Sequence, residues 1–152
     1  MKTLRCLLLS IAAIAWLPSA ALADEMIIVR SSRDFEDTMS TLQNAITARG
    51  YKVSRVQRVD VGLEARGYQT DKYRVVFYGK ADEVAALAGR HPELIPFLPL
   101  SVAIFAEGGQ TLLATNRPRS LAAFFPAPEL KPTFERWEKD LRGIFDEIRQ
   151  AR

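Results

Sequence analysis

Two stretches of the chain repeat apolar side chains at the three- and four-residue spacing of an amphipathic helix. In the first stretch the repeating side chains are Phe35, Met39, Leu42 and Ile46. Gly50 follows them, and glycine is the residue that most often ends a helix. In the second stretch, from about residue 132 to 150, they are Phe134, Trp137, Leu141, Ile144, Phe145 and Ile148. Both patterns predict a helix with one apolar face, and we expect Ser31 or Ser32 to cap the first helix.

Five shorter segments are rich in β-branched and aromatic residues and are typical of strands. They are Met26–Val29, Tyr51–Val61, Lys72–Tyr78, Leu100–Ala106 and Gln110–Thr115. We expect a bulge near Arg55, where the alternation slips, and a tight hairpin turn at Gly108 and Gly109. Short helices are predicted at residues 61–67, 81–89 and 120–124. The three prolines of residues 91–100 argue against a regular helix or a central strand there.

The order of these elements predicts an α+β fold: a mainly antiparallel sheet with helices packed on one face, plus a C-terminal helix. Residues 24–152 form a single domain, and a proline-rich stretch leads into the helix at about 132–150. The apolar face of that helix leaves two interpretations open. It packs against the chain's own sheet, or it is an interface for a partner chain. The side chains concerned are Phe134, Trp137, Leu141 and Phe145.

The first 23 residues have the layout of a secretory signal peptide. Lys2 and Arg5 precede the apolar run Cys6–Leu17, and small residues lead up to Ala23. A helix of about 12 residues rises only about 18 Å, which is too short for the ~30 Å core of a bilayer. We therefore expect cleavage after Ala23, a periplasmic or secreted protein, and no transmembrane segment in residues 24–152.

Removal of this leader changes what the composition implies. The chain has 21 Lys and Arg against 18 Asp and Glu, and Lys2 and Arg5 are the charged residues of the leader, so the net charge falls from +3 to +1. The single cysteine, Cys6, also belongs to the leader. A nearly neutral secreted domain is not expected to bind nucleic acid. Without cysteine, it has no disulfide, thiol nucleophile or cysteine-ligated metal.

No sequence pattern in residues 24–152 indicates catalysis. The sequence has no glycine-rich phosphate loop, no nucleophile elbow and no set of ligands at metal-binding spacing, so we expect no catalytic residue and no metal site. Acidic residues such as Glu135 and Glu138 are interpreted as parts of solvated helix faces. His91, the single histidine, either caps a short helix or is an axial haem ligand, with Met26, Met39 or a second chain supplying the other ligand.

Three turn-rich stretches together resemble a known bacterial family. They are Ala48-Arg49-Gly50-Tyr51, Leu98-Pro99-Leu100-Ser101-Val102, and Asn116-Arg117-Pro118 followed by Leu121. These stretches are similar to the corresponding turns of DUF302, a bacterial domain family of unknown function, over about residues 26–125. The resemblance implies a compact α+β fold that tends to pair into dimers. It implies no settled activity and leaves the cofactor unknown.

The chain departs from the family pattern at two turns. Gly79 is kept at the end of a strand, but Lys80 and Ala81 replace the Asn-Pro that follows in the family. Arg117 stands where the family usually has Asp. If such turns line a shared pocket, its polar groups are altered in this chain.

Six residues are therefore candidates for ligand binding, and their convergence on one concave pocket would support a ligand site. They are Arg66, Tyr68, Gly79, His91, Asn116 and Arg117. The expectation from the sequence is a small, secreted or periplasmic binding or accessory domain that is non-enzymatic and forms a homodimer. A haem-binding or small redox-ligand-binding periplasmic protein is the alternative.

Overall fold

The computed structural model describes residues 25–151, so the predicted signal peptide lies outside the described residues. The strands are β1 (Met26–Ser31), β2 (Lys52–Arg58), β3 (Tyr73–Gly79), β4 (Leu100–Glu107) and β5 (Gln110–Asn116). The α-helices are α1 (Phe35–Ala48), α2 (Val59–Glu64), α3 (Ala81–Arg90) and α4 (Lys131–Gln150). Two 3₁₀ helices, Pro92–Phe97 and Pro118–Ala123, complete the described elements.

The five strands form one antiparallel sheet in the order β1-β5-β4-β3-β2. The two long helices lie on the same face of this sheet: α1 contacts β2, β4 and β5, and α4 contacts β1 and α1. Residues of β1 alternate between exposed and buried positions, as expected for a strand with one covered face. The predicted fold class, an α+β fold with a mainly antiparallel sheet and a C-terminal helix, is confirmed.

Helix α1 begins later than the predicted serine cap. Asp34 is the N-cap residue, and its carboxylate accepts a hydrogen bond from the Asp37 backbone N–H at 2.8 Å. Ser31 instead ends β1, where its buried hydroxyl oxygen accepts a hydrogen bond from the Thr38 hydroxyl at 3.0 Å. The prediction of a serine cap was wrong because β1 extends through Ser31. Asp34, which directly precedes the first turn of α1, caps the helix as well as a serine would.

The bulge, the hairpin turn and the short helices can be compared with the predictions from the sequence. The bulge is confirmed by a register shift between Val53 and Arg55, and the hairpin turn by positive φ angles at Gly108 and Gly109. The three prolines argue against a regular helix or a central strand, and the segment forms a six-residue 3₁₀ helix with Pro96 inside. The short helix predicted at residues 120–124 is likewise a 3₁₀ helix. Helices of this type are short and common in connections. A proline at the start of a helix loses no hydrogen bond, because the first N–H groups of a helix have no partner within it.

A buried ion pair holds α2 against β3. Asp60 is 5% exposed, and its carboxylate pairs with the guanidinium group of Arg74. The same carboxylate accepts a hydrogen bond from the Val61 backbone N–H at 2.8 Å. The hydrogen bond from Arg74 is the main reason that the pKa of Asp60 lies below its ordinary value of 3.8.

We expect this ion pair to make stability depend on pH in the acid range. A carboxyl group whose pKa is lowered by folding contributes stability that is fully present above its unfolded-state pKa and is lost as the pH falls through the folded-state pKa. The free energy of unfolding should therefore fall more steeply between about pH 5 and 2 in the unmodified protein than in Asp60→Asn. Urea unfolding followed by circular dichroism measures both slopes, and equal slopes would contradict the assignment.

Candidate ligand-binding site

A cavity of about 150 Å³ lies at one end of the sheet. Antiparallel neighbours run in opposite directions, so the end of β3, the start of β4 and the end of β5 meet there. Its walls are the last residues of β3, the segment of residues 96–101, and the turn of residues 115–118. Leu121 and Leu141 line it from the helical side. The walls are mostly apolar, with a few polar side chains supplied by the turn.

A second cavity of about 170 Å³ adjoins the first. The two share Phe97, Asn116, Arg117 and Leu121 in their linings. The second cavity is also lined by Glu25, at the start of the described chain. Asn116 and Arg117 therefore stand where the two cavities meet.

The backbone of the turn is held on both sides of Arg117. The Arg117 N–H donates a hydrogen bond to the Glu25 carbonyl at 2.7 Å. The Arg117 carbonyl accepts hydrogen bonds from the Ser120 hydroxyl at 2.7 Å and from the Ser120 N–H at 3.1 Å. These bonds link the turn to the chain preceding β1 and to the second 3₁₀ helix.

The buried carboxylate of Glu138 connects this turn to α4. Glu138 is 3% exposed, and its Oε1 accepts hydrogen bonds from Arg142 Nε at 3.2 Å and Nη2 at 2.8 Å. Arg117 Nη1 lies 3.8 Å from the same oxygen. The other oxygen, Oε2, accepts a hydrogen bond from the Arg119 backbone N–H at 3.2 Å. One buried carboxylate thus lies between two guanidinium groups and ties the turn to α4.

Tyr78 lines the first cavity and is 2% exposed. Its hydroxyl makes no hydrogen bond to any side chain or backbone group of residues 25–151. Burial raises the pKa of this hydroxyl, and the nearby Asp140 carboxylate raises it further. Tyr78 is therefore a neutral phenol at physiological pH.

The ring of Tyr78 packs against a network of polar side chains. The ring packs edge-on against Tyr51, with centroids 5.6 Å apart. The Tyr51 hydroxyl donates a hydrogen bond to Asp140 at 2.7 Å and accepts one from Arg136 at 3.2 Å. Arg136 also pairs with Glu83 of α3, so the network joins α3 to α4 behind the cavity.

The structure brings together some of the predicted ligand-binding residues. Asn116 and Arg117 line the same cavity. Gly79 lies in a larger apolar groove of about 640 Å³ between α3 and β2. This groove adjoins the cavity, and Pro99 lines both the groove and the cavity. A Cβ on Gly79 would lie 2.9 Å from Cγ2 of Val84, so the close approach of α3 explains the glycine.

Arg66, Tyr68 and His91 line none of the cavities that contain Asn116, Arg117 or Gly79. Arg66 and Tyr68 belong to the turn after α2, where Tyr68 is 63% exposed. Residues in such a turn point to solvent because no element packs over them. These side chains are therefore separate from the candidate site.

Both ring nitrogens of His91 face carboxylates. Its Nδ1 lies 3.3 Å from Glu93, and its Nε2 lies 3.8 Å from Glu129. Of the predicted second haem ligands, Met39 is a residue of α1 that is buried in the core, and Met26 is half exposed at the start of β1. This arrangement does not favour axial ligation by His91. Among residues 25–151, no three His, Cys, Asp or Glu side chains are grouped closely enough to hold a metal ion.

The apolar face of α4 is covered by the chain itself. Its side chains are between 0 and 2% exposed. They include the four proposed as a partner interface, namely Phe134, Trp137, Leu141 and Phe145. The structure thus selects packing against the chain's own sheet and α1, and it corrects the interpretation of these side chains as an interface.

Sequence reasoning missed the role of Glu138, which was interpreted as part of a solvated face. The spacing contained a signal that could have found it. Glu138 lies four residues after Phe134 and three before Leu141, so it falls within the apolar stripe of α4. A charged residue inside a buried stripe requires partners, and here they are arginines of two different elements.

The fold is that of a small α+β domain with helices on one face of an antiparallel sheet and a cavity of about 150 Å³ at one end of the sheet. The sequence profile of the family described as "Domain of unknown function DUF302" matches residues 27–148. The chain belongs to the DUF302 family, and the match extends the resemblance seen in the turns through most of α4.

A solved structure shows the same fold. It is the crystal structure of an uncharacterized conserved protein DUF302 from Bacillus stearothermophilus, with a TM-score of 0.75 and 22% sequence identity. The match covers 84% of this chain and 100% of that chain. No curated protein matches the sequence. Within residues 25–151, no helix is both long enough and apolar enough to cross a membrane.

Proposed function

We propose that the protein is a non-enzymatic binding module that holds a small molecule in the cavity beside Asn116 and Arg117. The observation that carries the proposal is the convergence of this turn with residues 96–101 on one cavity, whose lining combines apolar side chains with polar groups of the turn. Small-molecule sites have this character: apolar walls with a few polar groups that orient the ligand. The hydrogen bonds of Arg117 and Glu138 hold the turn in place before any ligand binds.

The polar groups of this cavity suit binding better than proton transfer. The guanidinium group of Arg117 offers hydrogen-bond donors, and the Asn116 amide both donates and accepts hydrogen bonds. The Thr115 hydroxyl donates a hydrogen bond to the Ser101 carbonyl at 2.7 Å. Since the raised pKa of Tyr78 keeps its hydroxyl protonated, the cavity offers donors and apolar surface but no general base.

A fragment screen monitored by NMR tests this function. We expect at least one compound to shift the backbone resonances of residues 96–101 and 115–118 together. Asn116→Ala should weaken that binding several-fold, while Asn44→Ala, an exposed residue of α1, should leave it unchanged. The absence of any binder at this cavity would contradict the proposal. So would turnover of a bound compound that is lost when one polar residue of the cavity is replaced.

We also propose that the protein acts outside the cytoplasm. This proposal is supported by the basic, apolar and small-residue order of residues 1–23. Expression of the full chain in a bacterium should yield a periplasmic protein whose N-terminal residue is Asp24. Recovery of the uncleaved chain from the cytoplasm would contradict it.

A homodimer is the third part of the proposal, and the open face of the sheet is the surface that favours it. This open face is made of Ile28, Ala114, Ala103, Phe105, Tyr73, Val75 and Phe77. It lies opposite α1 and α4, and its Ile28 is 58% exposed. Rings of Tyr73 and Phe105 meet edge-on at 5.9 Å on it. Contiguous apolar surface of this kind is typical of protein interfaces.

Analytical ultracentrifugation tests the dimer. We expect a sedimenting mass of two chains for the unmodified protein and of one chain for Ile28→Lys, because lysine would place a charge in the middle of the apolar contact. Tyr68→Lys is the matched control, since Tyr68 is equally exposed but lies outside the open face. A monomer at all concentrations, or a dimer that Ile28→Lys leaves intact, would contradict this surface.

A further inference from the structure

Strand β2 forms one edge of the sheet, and no further strand covers this edge. The strand order ends at β2, which pairs with β3 on one side, so the backbone groups on its other side pair with no strand of residues 25–151. None of the seven residues of β2 is buried. By contrast, β1 at the opposite edge has three buried residues and contacts α4. An open strand edge such as that of β2 can pair with another extended chain.

A row of three exposed cations lies along β2. They are Lys52, Arg55 and Arg58, and β2 contains no acidic residue. None of the three forms an ion pair with any residue of the described chain. This edge therefore presents three positive charges that are not paired within residues 25–151.

The neighbouring strand does not offset these charges. Arg74 is the one charged residue of β3, and Asp60 pairs with it. At the opposite edge, Arg30 is the one charged residue of β1, and Glu107 pairs with it at 3.0 Å. The unpaired charge is thus a property of the β2 edge alone.

This charge selects the kind of chain that the edge accepts. A second copy that paired its own β2 here would place the same cations next to one another, and like charges on neighbouring strands destabilise their pairing. Acidic side chains on an added chain would instead be attracted to Lys52 and Arg55. The edge therefore favours an acidic chain over a second copy of β2.

The two faces of β2 differ, and they specify a pattern for the added chain. The register with β3 places Lys52 and Arg55 on the open face of the sheet, and it places Val53 and Val56 on the face that the helices cover. Both valines pack against the hydrophobic core. An added strand alternates its side chains between the same two faces. Acidic residues on one face and apolar residues on the other would match β2.

The apolar groove between α3 and β2 extends the apolar side of this edge. It has a volume of about 640 Å³ and adjoins the strand at Val53. Lys52 is the one charged residue of its lining within the described chain. The other side chains that surround the groove are small or aliphatic, and they include Ala81, Val84, Ala85, Ala88 and Pro99. An apolar side chain of the added strand therefore has room beside Val53.

We propose that β2 binds an acidic, extended peptide segment of another protein, which adds a sixth strand to the sheet. Its acidic side chains lie beside Lys52 and Arg55, and its apolar side chains lie beside Val53, Val56 and the groove. This inference goes beyond the proposed function, because it concerns the edge of the sheet and not the cavity.

NMR titration with short synthetic peptides tests the required pattern on the unmodified protein. We expect a peptide of alternating glutamate and valine to bind at least tenfold more tightly than the same peptide with lysine in place of glutamate. The shifted backbone resonances should lie in residues 52–58 and 84–88. Added salt should weaken the binding, because the cations are exposed.

Backbone methylation tests the pairing of strands. The N–H groups of an added strand point alternately towards β2 and away from it. Two glutamate–valine peptides are therefore compared, one N-methylated at the glutamates and the other at the valines. We expect one of them to lose binding and the other to retain it.

A charge reversal tests the cations. Arg55→Glu should weaken binding of the glutamate peptide and strengthen binding of the lysine peptide, a gain that misfolding would not produce. Arg66→Glu is the matched control, because Arg66 is an exposed arginine in the turn after α2 and lies outside the strand. Ile28→Lys, the variant that tests the dimer, should also leave peptide binding unchanged.

Equal affinity for the glutamate and lysine peptides, or for the two methylated peptides, would overturn the proposal. Tighter binding of a single-stranded oligonucleotide or of anionic lipid vesicles at the same residues would overturn it too, because the cations would then serve another class of partner. If no peptide binds, the cations only keep this edge from associating, and the proposal is wrong. The cavity and the dimer are tested at other residues, so these outcomes leave both proposals in place.

Discussion

Replacement of Phe134 by alanine is expected to lower the free energy of unfolding by about 3–5 kcal/mol. Phe134 is fully buried on α4, and its ring lies 5.7 Å from the ring of Trp137, centroid to centroid. The substitution removes the transfer free energy of a phenyl group and leaves a cavity that the packed helices and sheet only partly close. Urea unfolding followed by circular dichroism gives the value.

Phe124→Ala is the matched control for this prediction. It makes the same chemical change at a residue that is 68% exposed, so the expected loss is below about 0.5 kcal/mol. The Phe134→Ala value should not depend on protein concentration, because the chain's own elements bury this ring. A loss no larger than that of Phe124→Ala would mean that α4 is not part of the core.

The fold could be predicted from the sequence because its helices and strands have strong local periods. The stripes of α1 and α4 specify which face of each helix is apolar, and Gly50 and the Gly108–Gly109 pair specify where the chain turns. Periodicity does not specify what covers an apolar face. The same stripe on α4 is compatible with the chain's own sheet or with a partner, and only tertiary packing decides between them.

The candidate site could be predicted only where its residues are neighbours in sequence. Asn116 and Arg117 belong to one turn, so their joint appearance at the cavity follows from local structure. The pairing of the turn with Glu138 joins elements about 20 residues apart, and Glu129, whose carboxylate lies 3.8 Å from His91, follows it by about 40 residues. No local pattern encodes such contacts, which is why His91, Arg66 and Tyr68 were grouped with residues that lie elsewhere.

Replacement of Glu138 by alanine is expected to cost about 3 kcal/mol of stability and to loosen the candidate site. The change removes the acceptor of both Arg142 hydrogen bonds and of the Arg119 N–H, and it removes the carboxylate that lies 3.8 Å from the guanidinium group of Arg117. Glu138→Gln should cost less, because the amide oxygen still accepts hydrogen bonds although the charge is lost. Urea unfolding measures stability, and amide hydrogen exchange measures the opening of residues 115–119.

Glu135→Ala provides the control on the same helix. Glu135 is exposed and one turn nearer the start of α4, so its loss should change stability by less than about 0.5 kcal/mol and leave hydrogen exchange at the turn unchanged. If Glu138 only filled space in the core, Glu138→Gln would be nearly neutral and exchange at residues 115–119 would not increase. Faster exchange at the turn in both Glu138 variants, but not in Glu135→Ala, would show that this buried carboxylate positions Asn116 and Arg117 at the cavity.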